Sequence, residues 1–563
     1  MECKNEMHDI YRKSIKTLAE KNSMIRYQSQ YQMPIEEFQT PFELKLSKKN
    51  RWIKLANALP WDGLVKIYSQ ALSHKHGRPA INPRIVIGAL IIKHKEDLSD
   101  ERTIEAIQEN VYQQYFLGLT QYQEEAVFDP SLFVAIRKRI GVEAFDAMVV
   151  ELMGATNNPS KKLLSTRNTA HLESIPSGEE PTKSSSPSIL EEQNTSELSS
   201  SIIPSAVTSS EVSEKNKGTL IVDMTVAPAD ITFPTDIGLL NTSREKTEEL
   251  IDVLYAAIPV EDSTRREEKK IVKPRTYRKK ARKDYLAIAK QRKRSAKSIR
   301  KSLRKQLNYV GRNIKTIHAL FDIVSNGLSY SQMKMFWIIQ ELYRQQKEMY
   351  ETKTHRISDR IVSVAQPHVR PIVRGKASAP VEFGAQVSAS IMNGYRRIER
   401  IVWDPYNEAS DLKKQIEHYK TTYGYYPEIV LGDKKFGTKK NRAYMTERGI
   451  RYGGTPLGRP RANDTQEKLL PKKIVNQRNS IEGTFGTGKR RYGLDCIKAR
   501  RDDTSMSWIA AIFFVMNLPL FLKELGSSFL SFFESIIIRL VERSFRLLLG
   551  LELSTVRALR LFQ

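Results

Sequence analysis

Leu220-Ile221-Val222-Asp223 and Ile429-Val430-Leu431-Gly432-Asp433 are two short apolar runs, each ending in an aspartate. Apolar runs of this length, bounded by turn residues, suit strands buried on both faces. Open α/β sheets place ligand and catalytic groups at the carboxyl ends of such strands. A third carboxylate, Glu482, follows in the basic helical stretch that opens with Arg478-Asn479-Ser480-Ile481-Glu482. Two strand-end aspartates and one helix-borne glutamate make a cage of hard oxygen ligands. Two Mg²⁺ ions, or Mn²⁺ in their place, prefer such a cage, and ion pairs of this kind catalyse phosphodiester cleavage.

Around these runs the sequence reads as a strand at 219–224, a helix at 237–256 and a helical stretch to about 358. Strand candidates follow at Ile361-Val362-Ser363-Val364, from Val381 to Val387, and from Ile398 to Trp403. A helix from Asp411 to about Tyr423 precedes the strand that ends at Asp433. A helix near 438–448, a short strand at 450–454 and the helix of Glu482 complete the series. This order predicts an α/β, ribonuclease-H-like catalytic domain over 218–525, with a long helical, basic insertion at about 237–358.

Residues 1–152 read as all-α. Pro83 opens an apolar helix, and Ser99-Asp100-Glu101-Arg102-Thr103 offers caps for the next, with Ile104, Ile107 and Val111 at helical spacing. Phe128-Asp129-Pro130-Ser131 starts another helix, ending in Arg137-Lys138-Arg139. Short helices with basic edges fit a helix-turn-helix-like DNA reader, and a generic helical bundle fits them too. Residues 153–217 are rich in Ser, Thr and Pro and carry few large apolar side chains, so a disordered linker is expected. Residues 526–563 read as a C-terminal amphipathic helix.

The 563 residues carry 91 Lys or Arg against 64 Asp or Glu, a net charge of +27 that calls for a polyanionic partner. Residues 265–315 hold 22 of those cations against Glu267, Glu268 and Asp284, a surplus of 19. Lys290, Arg292, Lys293, Arg294 and Lys297 lie in a run that reads as a helix former, and such a run folds most readily against phosphates. Cys3 and Cys496 offer no disulfide framework, which suits a reducing compartment. The uncharged stretch 504–522 could just span a bilayer. The expected reading is a buried core helix broken at Asn517-Leu518-Pro519.

Arg478, Glu482 and Lys489 stand at i, i+4 and i+11, on one face of a helix. Cations beside a carboxylate keep it ionised and can hold phosphates, although surface ion-pair rows look the same. Gly483-Thr484-Phe485-Gly486-Thr487-Gly488-Lys489 mimics a phosphate loop, but Arg490 stands where Ser or Thr is required and no apolar strand precedes it. Trp403 and His368 read as structural.

The chain resembles bacterial insertion-sequence transposases of the DDE type. The matching stretches run from Val222 to Pro228, from Pro234 to Asn241, from Leu431 to Gly437 and from Ile481 to Gly486. Arg478, Glu482 and Lys489 keep the spacing of the Tyr-Arg-Glu-Lys signature, while Val475 replaces its tyrosine. The resemblance implies that Asp223, Asp433 and Glu482 hold two Mg²⁺ ions. It also implies DNA phosphate contacts by Arg478 and Lys489, and N-terminal helices that bind terminal inverted repeats. Double-stranded DNA at the ends and at the target, a homodimer in the paired-end complex, and a cytoplasmic, nucleoid-associated setting without a membrane role complete the expectation. A ribonuclease-H-like nuclease and a catalytically inactive DNA-binding protein on the same fold are the alternatives.

Overall fold

The computed structural model describes residues 38, 40, 45–72, 80–157, 215–258, 273–324, 326–373, 380–454 and 472–527. Seven helices precede the sheet among these residues: α1 (Arg51–Ala58), α2 (Trp61–Ser69), α3 (Pro83–Lys95), α4 (Asp100–Glu109), α5 (Val111–Leu117), α6 (Leu132–Arg139) and α7 (Val142–Asn157). Local chemistry sets their ends. Asn50, Asn82, Ser99 and Asn110 each accept a backbone N–H of the first turn, and Gly118, at φ +84°, ends α5.

The sheet has six strands among the described residues: β1 (Thr219–Pro228), β2 (Arg370–Val373), β3 (Val381–Met392), β4 (Tyr395–Val402), β5 (Ile429–Leu431) and β6 (Arg451–Tyr452). β1 lies centrally, antiparallel to β3 and parallel to β5, which is parallel to β6. β2 and β4 pair with successive parts of β3. β1 is longer than the apolar run predicts, because its later half continues as the partner of β3 after β5 has ended.

Among the described residues four helices follow β1: α8 (Asp236–Ala256), α9 (Arg278–Ala289), α10 (Ala296–Phe321) and α11 (Tyr330–Thr352). Leu240, Val310, Ile339 and Leu342 form one of their cores, and Leu254, Ile317 and Phe336 belong to another. Asp236, at the start of α8, binds Arg360 Nη2 (2.6 Å) and Gln346 Nε2 (3.0 Å), so the chain entering the insertion is pinned to the chain leaving it. Ile361-Val362-Ser363-Val364 is not a strand. Ile361 and Val364 are drawn into the helical core, and Gln345 Oε1 takes the Ile361 N–H (2.9 Å). The run 290–301 is not one helix either. α9 stops at Ala289, where the Arg294 guanidinium binds the Ala289 and Gln291 carbonyls, and Ser295 caps a new helix.

The remaining elements are α12 (Leu412–Tyr423), α13 (Lys439–Glu447), α14 (Lys472–Val475), α15 (Asn479–Arg491) and α16 (Asp502–Ser527), with 3-10 turns at Glu408–Ser410, Lys434–Phe436 and Asn476–Arg478. The two faces of the sheet follow the alternation of β1. Leu220 and Val222 join Val430, Leu412, Ile416, Phe436 and Met445. Ile221 joins Leu431, Ile481 and Phe485, and that core runs without interruption through α16 into α1–α7.

The expected break at Asn517-Leu518-Pro519 does not occur: α16 is continuous for 26 residues. Proline removes one helical N–H, and dense packing around this helix tolerates the loss. Asn517 is fully buried and works as a strand substitute. Its Oδ1 accepts the Arg396 N–H (2.8 Å), and its Nδ2 donates to the Arg396 carbonyl (2.9 Å), completing the outer side of β4. By length and composition α16 could cross a membrane, but 78% of its most apolar window is buried inside the protein. Residues 158–214, which include most of the expected linker, and residues 528–563, which include nearly all of the expected C-terminal helix, lie outside the described residues.

Candidate active site

Parallel pairing sets the level of the first two carboxylates. Ile221 on β1 stands opposite Leu431 on β5. Two residues beyond each stand Asp223 and Asp433, and the backbone at Asp433 is still extended (φ −66°, ψ 161°). Asp223 therefore lies within β1 but past the carboxyl end of β5. Ile221 and Leu431 face the core shared with α15, and alternation places both aspartates on that side.

Asp223 is half-buried in a strand whose neighbouring side chains are mostly buried. Burial pushes its carboxyl up to about 6. The Met224 N–H, which it accepts at 2.8 Å, and the Arg478 charge pull it down, while Glu408 and Asp433 push it up. Asp433 Oδ1 accepts the Lys434 N–H (2.7 Å) and caps the following turn.

α15 is anchored by buried Ile481, Thr484, Phe485 and Gly488. Gly488 packs closely there: an added Cβ would lie 3.0 Å from Leu494 and 3.2 Å from the Met516 sulfur. The false phosphate-loop stretch is thus helix, not loop. Glu482 sits on the exposed side of α15 and binds Arg478 Nη2 (2.7 Å). Arg478 stands between Glu482 and Asp223, with its Nε buried and without a hydrogen-bond partner among the described residues. Lys489 leans toward β3, with Nζ 3.9 Å from Glu382 Oε1, so it does not join the Arg478–Glu482 pair. Lys290, Arg292, Lys293, Arg294 and Lys297 are all exposed at the α9–α10 junction.

Two residues that sequence reasoning did not single out complete the neighbourhood. Tyr452, on β6, donates its hydroxyl to the Asp433 carbonyl (2.8 Å) and to that of Gly432 (3.3 Å). Burial raises that hydroxyl to about 12, so it remains a donor. Glu408 is buried in a 3-10 turn and pairs with Lys435 Nζ (3.1 Å). Neither stands in a recognisable motif; only the fold brings them to Asp433. Trp403 packs edge-on against His368, with ring centres 4.3 Å apart, as structural residues do.

The donor set suits a hard divalent cation in part. Asp223 and Asp433 act on each other as like charges, which a cation would relieve. Among the described residues no three His, Cys, Asp or Glu side chains are gathered closely enough to hold an ion. Glu482 is turned to Arg478 and is the group that would have to move.

A family described as "Transposase domain" matches residues 41–139, the region of α1–α6. A second, described as "Transposase DDE domain", matches residues 430–519, from β5 through Asp433 and Glu482 into α16. The chain is also 31% identical over 112 residues to "Uncharacterized protein ORF8 in nfe locus" from Rhizobium meliloti, a match covering 20% of this chain and 54% of that protein. The chain thus spans about half the length of this curated relative. No solved structure matches it. With matches to transposase families at both ends of one continuous core, the chain is similar to insertion-sequence transposases of the DDE type.

Proposed function

We propose that this protein is a metal-dependent transposase that binds the ends of its own insertion sequence, cuts DNA strands there and joins them to a target. The observation that carries the reading is the shared level of Asp223 and Asp433 on adjacent parallel strands, with Glu482 on a helix packed against the same face. The strand order β4-β3-β1-β5-β6, with β3 alone running against the others, supports a ribonuclease-H-like fold. Two Mg²⁺ ions, for which Mn²⁺ can substitute, would when bound supply an activated water or 3′-hydroxyl and charge stabilisation for the leaving oxygen. Asp223 and Asp433 would hold the ions, and Glu482, now paired with Arg478, is the third carboxylate that would complete the set. Arg478, once released, offers its guanidinium to a phosphate. Lys489 and the exposed cations Lys290, Arg292, Lys293, Arg294 and Lys297 bind DNA backbone without reading bases. The α1–α7 region recognises the terminal repeats, and a homodimer pairs two ends in the cytoplasm.

The test uses three single variants, Asp223→Asn, Asp433→Asn and Glu482→Gln, each keeping volume and removing one charge. Each should abolish cleavage of end DNA in Mg²⁺ while end binding persists. Full cleavage by any one of them refutes its role. Wild-type cleavage without joining would instead identify a nuclease.

A further inference from the structure

Paired lysines recur at Lys413-Lys414, Lys434-Lys435 and Lys439-Lys440. They open three different elements: the first turn of α12, the 3-10 turn after Asp433 and the first turn of α13. The fold gathers these starts around one buried side chain. Asn441 Nδ2 donates to the Ala409 carbonyl (2.8 Å), in the turn that leads into α12, and to the Phe436 carbonyl (2.9 Å). The Lys435–Glu408 pair ties the same two turns together. All six lysines are exposed.

An ordinary solvated face does not account for this arrangement. The first turn of a helix carries the positive end of its dipole and disfavours cations. Here Lys413, Lys414, Lys439 and Lys440 occupy the first turns of two neighbouring helices, beside two more lysines. Acidic compensation is scarce: Glu408 is taken by Lys435, and Glu417 is engaged by Tyr444, Tyr426 and Arg448. The Tyr444 ring lies 4.9 Å from Lys413 Nζ and 3.8 Å from the Arg448 guanidinium carbon, adding a second cation, Arg448, to the surface around Lys413. Six exposed lysines gathered by the fold form a surface whose fitting partner is a polyphosphate backbone.

We infer that this cluster docks a second DNA duplex, the one into which the cut ends are joined, and that it is separate from the phosphate-binding cations of the helical insertion. The inference rests on the DNA-joining reading proposed above. The insertion leaves the sheet after β1 and has cores of its own, whereas the lysine cluster begins at the residue after Asp433. Basic surfaces on two separate parts of the fold, one of them beside the carboxylates, suit a reaction that handles two duplexes; hydrolysis of one duplex needs a single track.

The test compares the full-length protein with the quadruple variant Lys413→Gln, Lys414→Gln, Lys439→Gln and Lys440→Gln. With a duplex of unrelated sequence, the slope of log K against log salt should flatten by about 3 to 4 units, at roughly 0.9 per lost contact. Joining of pre-cut ends into a plasmid should fall roughly tenfold or more, while cleavage of uncut ends is unchanged. The matching quadruple Lys→Arg variant should restore joining, which separates charge from folding. Undiminished joining by the Gln variant, or equal loss of cleavage and joining, would overturn the assignment. Wild-type protein that cuts ends and joins none would sink the joining reading itself, and this surface with it.

Discussion

Asp223→Asn should make the metal-free protein more stable while destroying its activity. Burial and the neighbouring carboxylates raise the Asp223 carboxyl from 3.8 to about 6. The native state therefore takes up this proton before the unfolded chain does, and stability falls as pH rises through the window between those values. Roughly 2 units at about 1.36 kcal/mol each sets a penalty of about 3 kcal/mol above pH 6, and none below about pH 4. Asparagine keeps an oxygen for the Met224 N–H and removes the charge. In EDTA at pH 7.5 the variant should resist urea better than wild type by up to about 3 kcal/mol, and the two should converge near pH 4. Mg²⁺ at a hundred times its Kd should return about 2.7 kcal/mol to wild type and nothing to the variant. An asparagine variant no more stable than wild type at pH 7.5 in EDTA would refute the claim that this carboxylate is held under electrostatic stress.

Tyr452→Phe removes the donor to the Gly432 and Asp433 carbonyls; it should cost about 1 to 2 kcal/mol and slow single-turnover cleavage without changing end affinity, so weakened end binding would contradict a positioning role. Arg478→Gln withdraws the cation that favours ionised Asp223, and the acidic limb of the cleavage pH profile should move to higher pH; a shift to lower pH would reverse the assignment. Asn517→Leu strands the Arg396 N–H and carbonyl inside the protein, and urea unfolding should report a loss of about 2 to 4 kcal/mol. Neutralising six Lys or Arg within 265–315 should flatten the salt dependence of DNA affinity by about 5 units, at roughly 0.9 per contact; an unchanged slope would leave that segment a solvated arm.

The strands bearing Asp223 and Asp433 were legible because apolar runs with no helical period have few other uses. The helix of Glu482, the cap at Ser99 and the helix start at Pro83 announced themselves by local chemistry that needs no distant partner. What stayed hidden depends on contacts far apart in sequence. Ile361-Val362-Ser363-Val364 has strand composition, but Gln345 and the insertion core claim it. Pro519 signals a helix stop, yet helix packing overrides it. Tyr452 and Glu408 carry no motif, and only the pairing of β5 with β6 and the meeting of two 3-10 turns make them neighbours of Asp433. The Arg478–Glu482 spacing was visible, whereas the turning of Glu482 toward Arg478 and the reach of Lys489 to Glu382 were not.

The core that passes from α1–α7 through α16 to the sheet has a mechanical meaning. Arg397, on β4, grips Asp146, on α7, through two hydrogen bonds of 2.8 and 2.6 Å, across a gap of 251 positions in the chain. The helices before Asn157 and the sheet are therefore clasped directly to each other. The angle between any DNA held by the N-terminal helices and the carboxylates is built into the packing. A cavity carved beneath Phe514, which meets Phe145 at 6.1 Å, would let the cut position wander.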